Sequence, residues 1–186
     1  VYGICLVYTN ATPLGGYRKA YTAIATGKLF GQIPYMFIIA FVIGLVMWFV
    51  FNYTRHGKYM YAIGGNEAAA EVSGVNVKKT KIIIYVTAAA LYAIAGFLLG
   101  AKAGGASVNM GQGYELEAIA ACTIGGVSVN GGIGRISGVV IGVLVFELLK
   151  SSMQFLGIQT NYQYIVQGIV IIVAIALDIR KYIAKK

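Results

Sequence analysis

Six carboxylates and one histidine supply nearly all the acid–base chemistry of this 186-residue chain. His56 stands between Arg55 and Lys58 at the end of an apolar run, where a solvated residue at a membrane boundary is the ordinary role. No second His lies at metal-ligand spacing, no Cys pair accompanies it, and no G-x-S-x-G nucleophile elbow is present. Cys5 and Cys122 both sit in apolar context and read as small buried side chains. The Gly-rich stretch "GGVSVNGGIGR" lacks the G-x-x-x-x-G-K-[ST] arrangement that cradles phosphates, and it does not follow a strand. Gly131 to Gly134 are therefore expected to form a tight turn between two helices. The expectation is no catalytic, metal or cofactor site, with any ATP bound by another chain.

Polar residues within apolar surroundings are the next candidates, because unpaired charge in hydrocarbon is costly and faces a cavity or a partner. Glu115 and Glu117 open the run "YELEAIAACTIGGVSV", where carboxylates meet the positive end of the helix dipole. Either that stabilisation or a role in a translocation path accounts for them. Glu147 precedes Lys150 by three residues, a spacing that predicts a local ion pair. Asn109, Gln112 and Tyr114 group near the start of the same short run. With Glu115 they would suit an uncharged, hydroxyl-rich solute, and they are equally ordinary in a wet loop.

The segment "IGGNEAAAEVSGVNVKK", Ile63 to Lys79, is polar and lies between two long apolar runs. Asn66 is expected to cap a helix and Glu67 to add favourable charge in its first turn. Ala68, Ala69 and Ala70 favour the helix, and Gly74 permits the left-handed turn that ends it. Flanked by Gly64 and Gly65, this two-turn helix has a smooth surface that suits a groove in another protein. A plain surface loop is the other reading.

These residues must be positioned by membrane helices. The apolar fraction is 59%, charged residues are only 11%, and mean hydropathy is +0.76, well outside soluble composition. The runs Ile33–Phe51, Ile82–Ala101, Ile136–Lys150 and Tyr164–Leu177 are expected to span. Tyr114–Val129 is either a short buried span or a re-entrant helix, giving about five spans. A partial one, "VYGICLVY", reads as the tail of a helix begun before Val1. Pro34 fits the first turn of the first span, with Tyr35 and Trp48 in its aromatic belts.

The net charge of +9 gathers at span ends, which points to topology and away from nucleic acid. Arg55, Lys58, Lys78, Lys79, Lys81, Arg135, Arg180, Lys181, Lys185 and Lys186 fall on one side, expected to be cytoplasmic. Arg18, Lys19, Lys28, Lys102 and Lys150 fall on the other. Gly96, Gly100 and Gly104 recur every fourth residue, as do Gly134, Gly138 and Gly142. Each ladder predicts close helix packing in a multi-helix bundle.

"GKYMYAIGGNEAAAEVSGVNV" resembles the cytoplasmic coupling loop of the permease subunits of ABC-type monosaccharide importers, the ribose, xylose and galactose group. "GYELEAIAACTIGGVSVNGGIGRISGVVIGVL" is similar to that family's second diagnostic block, with Glu117 where the family pattern has Asp. "ALDIRKYIAKK" and "VYGICLVY" look most like the galactose/methylgalactoside branch. The resemblance implies an all-α, polytopic transmembrane bundle: one permease domain over 1–186, matching the C-terminal half of such a permease, with the coupling loop at 52–81. It further implies a bacterial cytoplasmic (inner) membrane location with a cytoplasmic C-terminus, amid membrane lipid.

The implied partners are a second permease copy in a homodimer, an extracytoplasmic sugar-binding protein and a separate ABC ATPase that binds the ATP. Gly65, Asn66, Glu67, Ala68, Ala69, Glu71, Ser73 and Gly74 would form the surface seated in that ATPase. The expected function is monosaccharide import, galactose or methylgalactoside favoured. Ribose or xylose import is the alternative within the family, and a passive channel or membrane scaffold the alternative outside it.

Overall fold

In a computed structural model, residues 2–183 are described. Val1, Lys185 and Lys186, and with them the end of "ALDIRKYIAKK", lie outside those residues. The chain runs through α1 (Tyr2–Thr9), β1 (Leu14–Gly15), α2 (Lys19–Thr26), β2 (Lys28–Leu29) and β3 (Ile33–Pro34). It continues through α3 (Tyr35–Tyr53), α4 (Arg55–Gly65), α5 (Glu67–Val72), α6 (Val77–Ala103) and β4 (Gly105–Ala106). The order ends with α7 (Tyr114–Ile124), α8 (Ile136–Phe155) and α9 (Thr160–Ile183). The strands are two-residue antiparallel pairs, β1 with β4 and β2 with β3.

Among the described residues, four helices are long and apolar enough to cross a membrane: α3, α6, α8 and α9 over Thr160–Arg180. The fifth expected span is α7, whose 11 residues reach only about 16 Å. Against a hydrocarbon thickness of about 30 Å, a straight crossing is excluded for it. The reason is local: Gly125 caps the helix and Gly126 follows at φ 82°, a left-handed backbone that stops the helical ladder. Helix ends elsewhere run past the apolar windows. α6 begins five residues before Ile82, because Asn76 accepts a hydrogen bond from the Lys79 N–H at 3.0 Å and caps its first turn. Pro34 lies in β3, just ahead of α3, where its missing N–H costs no helical bond.

The chain divides into two compact units, 1–46 with 82–112, and 47–81 with 113–186. In the first, the Tyr21 hydroxyl donates to the Phe97 carbonyl at 2.7 Å, and the two rings meet edge to face. The second holds the main core, where Ala120, Ala121 and Phe146 are buried and Ile124 and Ile171 pack around them.

Small residues make that core. A Cβ on Gly142 would overlap the Ala121 carbonyl oxygen and lie 2.7 Å from the Gly125 nitrogen. Gly125 and Gly138 likewise meet backbone to backbone, so α7 and α8 approach as closely as main chains allow. Gly134, the first member of that ladder, precedes α8 and packs on Val127 instead. In the other ladder Gly104 falls after the end of α6 at φ 67°, Gly96 has no neighbour within 4 Å, and Gly100 meets the Tyr21 hydroxyl. Helical spacing predicted one face for each ladder, and the helix ends broke both. Cys5 is exposed and Cys122 half-buried, a correction to the reading of both as buried; both are free thiols.

Candidate functional site

The polar segment expected to hold one small helix holds two, and α4 leaves α3 through a tight joint. Thr54 caps α4, its hydroxyl oxygen accepting from the Gly57 N–H at 3.2 Å and its hydroxyl donating to the Val50 carbonyl at 2.7 Å. Gly57 is buried against the last turn of α3, where a Cβ would lie 2.5 Å from the Phe51 carbonyl oxygen.

α5 follows after a single residue. The Asn66 side chain accepts from the Ala69 N–H at 3.0 Å, the cap anticipated for it, and Gly74 takes φ 84° just beyond the C-terminal end. Ser73 closes the helix by donating its hydroxyl to the Ala69 carbonyl at 2.8 Å. Glu67 reaches Lys81 in the first turns of α6, with both carboxylate oxygens 2.7 Å from the ammonium. Ala70 turns inward and is buried, whereas Ala68, Ala69, Glu71 and Val72 face out. Val72, 90% exposed, is an apolar side chain on that outer face that the sequence pattern did not single out.

Gly64 and Gly65 do more than flank this helix. Gly64 touches Gly132 backbone to backbone, and a Cβ on Gly132 would lie 2.7 Å from the Gly65 Cα. Gly131 and Gly132 form the expected turn at φ 92° and 72°, a conformation that disfavours any other residue. The Tyr61 hydroxyl donates to the Gly134 carbonyl at 2.9 Å. On the other side of the turn, Asp178 of α9 accepts from the Ser128 hydroxyl at 2.8 Å and from the Val129 N–H at 3.2 Å.

Of the proposed path residues, Asn109 accepts from the Tyr2 hydroxyl at 2.9 Å, and its carbonyl accepts from the Gln112 N–H at 3.2 Å, within the first unit. Tyr114 and Glu115 belong to the second. Glu115 folds back to accept from the Gly113 N–H at 3.1 Å, a helix-start contact. Glu117 differs. Its carboxylate takes the Lys150 ammonium at 2.7 Å and lies 3.4 Å from the buried Gln167 amide, joining α7, α8 and α9. Helix-start stabilisation is therefore an incomplete account of Glu117. Lys150 also sits 5.8 Å from the centre of the Tyr114 ring. The local Glu147–Lys150 pair is replaced by this cross-helix one, because Lys150 finds Glu117 on the packed face. A carboxylate 33 residues away is invisible to helical spacing rules.

A polytopic helical membrane protein is thus defined by its spans and its glycine-packed core. The model of the family described as branched-chain amino acid transport system / permease component matches residues 2–175, and the chain belongs to that permease family. It is 41% identical over its full length to the galactose/methyl galactoside import permease protein MglC of Escherichia coli (strain K12), covering 57% of that protein. The corresponding protein of Haemophilus influenzae is 40% identical with the same coverage. The ribose import permease protein RbsC of Bacillus subtilis (strain 168) is 41% identical over 96% of the chain, covering 56% of that protein. The chain spans about half the length of the curated relatives it matches, along their C-terminal half. No solved structure matches it. The resemblance to sugar-import permeases read from the two sequence blocks is borne out.

Proposed function

We propose that this chain forms part of the transmembrane subunit of an ATP-driven monosaccharide importer, with galactose or methyl galactoside as cargo. The observation that carries the reading is the match, over the whole of this chain and 57% of each relative, to permeases named for galactose and methyl galactoside import. Ribose is the second reading, supported by comparable identity to ribose import permeases. In this reading the protein lies in a bacterial inner membrane with α4, α5 and the C-terminus on the cytoplasmic side. The excess of Lys and Arg at those ends supports that orientation. A second permease copy completes the path, a sugar-binding protein delivers the cargo from outside, and a separate ATPase binds the nucleotide.

α5 is the docking element for that ATPase. It is short, capped at its start and exposed along Ala68, Ala69, Glu71 and Val72, so it offers a low-relief face that fits a groove. Gly65, Asn66, Glu67, Ser73 and Gly74 hold that face in place, and nucleotide-driven closure of the partner would displace it as a rigid body. Asn109, Gln112, Tyr114 and Glu115 remain proposed path residues, offering neutral donors, an aromatic face and one carboxylate to a sugar.

Uptake of labelled methyl galactoside by the complete permease, reconstituted with its ATPase and binding protein, tests this. Uptake should require ATP and be competed by unlabelled galactose. Competition by ribose alone would move the assignment to the second reading, and equilibration without ATP would leave a passive channel.

A further inference from the structure

The glycine turn after α7 meets the end of α4 in the coupling segment without an intervening side chain. Gly64 at the end of α4 and Gly132 in the turn touch through their main chains, and Gly131 packs on the Gly64 carbonyl. One side chain clamps the crossing, through the Tyr61 hydroxyl on the Gly134 carbonyl at 2.9 Å. The turn is anchored to α9 by Asp178, which receives both the Ser128 hydroxyl and the Val129 N–H. It is continuous with α7 and α8, themselves locked through Gly125, Gly138 and Gly142.

We propose that the Gly131–Gly132 turn is a transmission joint: it receives the displacement of α5 through Gly64 and Tyr61 and passes it to α7, α8 and α9. This rests on the reading of α5 as the ATPase-docking helix. The physical argument is the absence of slack. Flexible side chains absorb small shifts by changing rotamer, but main chains in van der Waals contact cannot, so a movement of α4 and α5 is carried across undiminished. Glycine is required on both strands of the crossing because a Cβ on either would occupy the other's backbone. Tyr61 and Gly64 are positioning residues, and no contact with sugar or nucleotide is assigned to them.

The test uses the complete permease with its ATPase and binding protein in proteoliposomes, and reads sugar molecules transported per ATP hydrolysed. Gly64→Ala adds one methyl at the crossing and leaves the helical backbone of α4 favourable. Gly44→Ala is the control, since that residue lies in α3 outside the coupling segment and a Cβ there meets nothing within 4 Å. Gly64→Ala should lower the ratio by more than about tenfold while the ATPase still co-purifies, and Tyr61→Phe should lower it by about fivefold through one lost hydrogen bond. Gly44→Ala should leave it unchanged. Wild-type ratios in both Gly64→Ala and Tyr61→Phe would overturn the proposal, and if Gly64→Ala aggregates, the Tyr61→Phe ratio decides alone. Ala69→Trp on the exposed face of α5 separates the two levels. Loss of ATPase assembly in Ala69→Trp with normal coupling in Tyr61→Phe and Gly64→Ala sinks the joint alone, whereas normal assembly in Ala69→Trp sinks the docking reading and the joint with it.

Discussion

Two helices long and apolar enough to span, α3 and α8, are used in opposite ways. α3 is more apolar than α8 yet buries none of its residues, and a Cβ on its Gly44 would have no neighbour within 4 Å. α8 buries Gly142, Phe146 and Met153, and two of its glycines touch the backbone of α7. The contrast teaches that hydropathy reports which segments can enter a bilayer, whereas association within it depends on how closely backbones approach. Lipid solvates Phe and Leu as well as a neighbouring helix does, so a row of small residues supplies the packing that a row of large ones does not.

The sharpest way to break that comparison is to place the same side chain on both helices. Gly142→Leu must displace the Ala121 carbonyl and the Gly125 main chain, and the folded permease should be lost from detergent extracts, an effect of at least about 3 kcal/mol. Gly44→Leu should leave thermal unfolding within about 0.5 kcal/mol of the parent. Equal outcomes would mean that α8 is not held by its glycines.

A second, smaller effect concerns charge in the same interface. Lys150→Met leaves the partly buried Glu117 carboxylate without its cation and should cost about 3 kcal/mol in thermal stability. Combining it with Glu117→Leu should recover most of that loss, as expected when a charge pair is removed together. Outside the spans, Asn66→Ala removes one cap and should cost about 1 kcal/mol, seen as faster amide exchange in α5. The Glu67–Lys81 pair, about half exposed on both sides, should contribute under about 1 kcal/mol and lose that contribution in high salt.

Local features were legible where their cause was local. The Asn66 cap, the Gly74 stop and the Gly131–Gly132 turn each follow from a few adjacent residues, and the structure has all three. The spans were legible because bilayer thickness sets their length. Pairings between distant segments were not. Lys150 has Glu147 nearby in sequence, and only the α7–α8 crossing brings Glu117 to it. Asp178 read merely as one letter of a C-terminal motif, although it binds the turn 49 and 50 residues away. Thr54 and Asn76 were legible as helix caps had the polar segment been read as several helices. Gly96 and Gly104 show the reverse error, since fourth-residue spacing implied a packed face where one is open and the other lies beyond the helix.

The burial pattern of α5 also selects the probe for its proposed docking role. Ala70 is buried, so a label there would report unfolding, whereas Ala69 is exposed. The decisive measurement is reaction of Ala69→Cys with a membrane-impermeant maleimide, in the full permease with Cys5 and Cys122 replaced by Ser. Labelling should occur in inside-out vesicles, fail in intact cells, and fall by about tenfold when the ATPase is bound. Labelling from the outside of intact cells, or equal labelling with and without the ATPase, would contradict the account of α5 as the cytoplasmic docking helix.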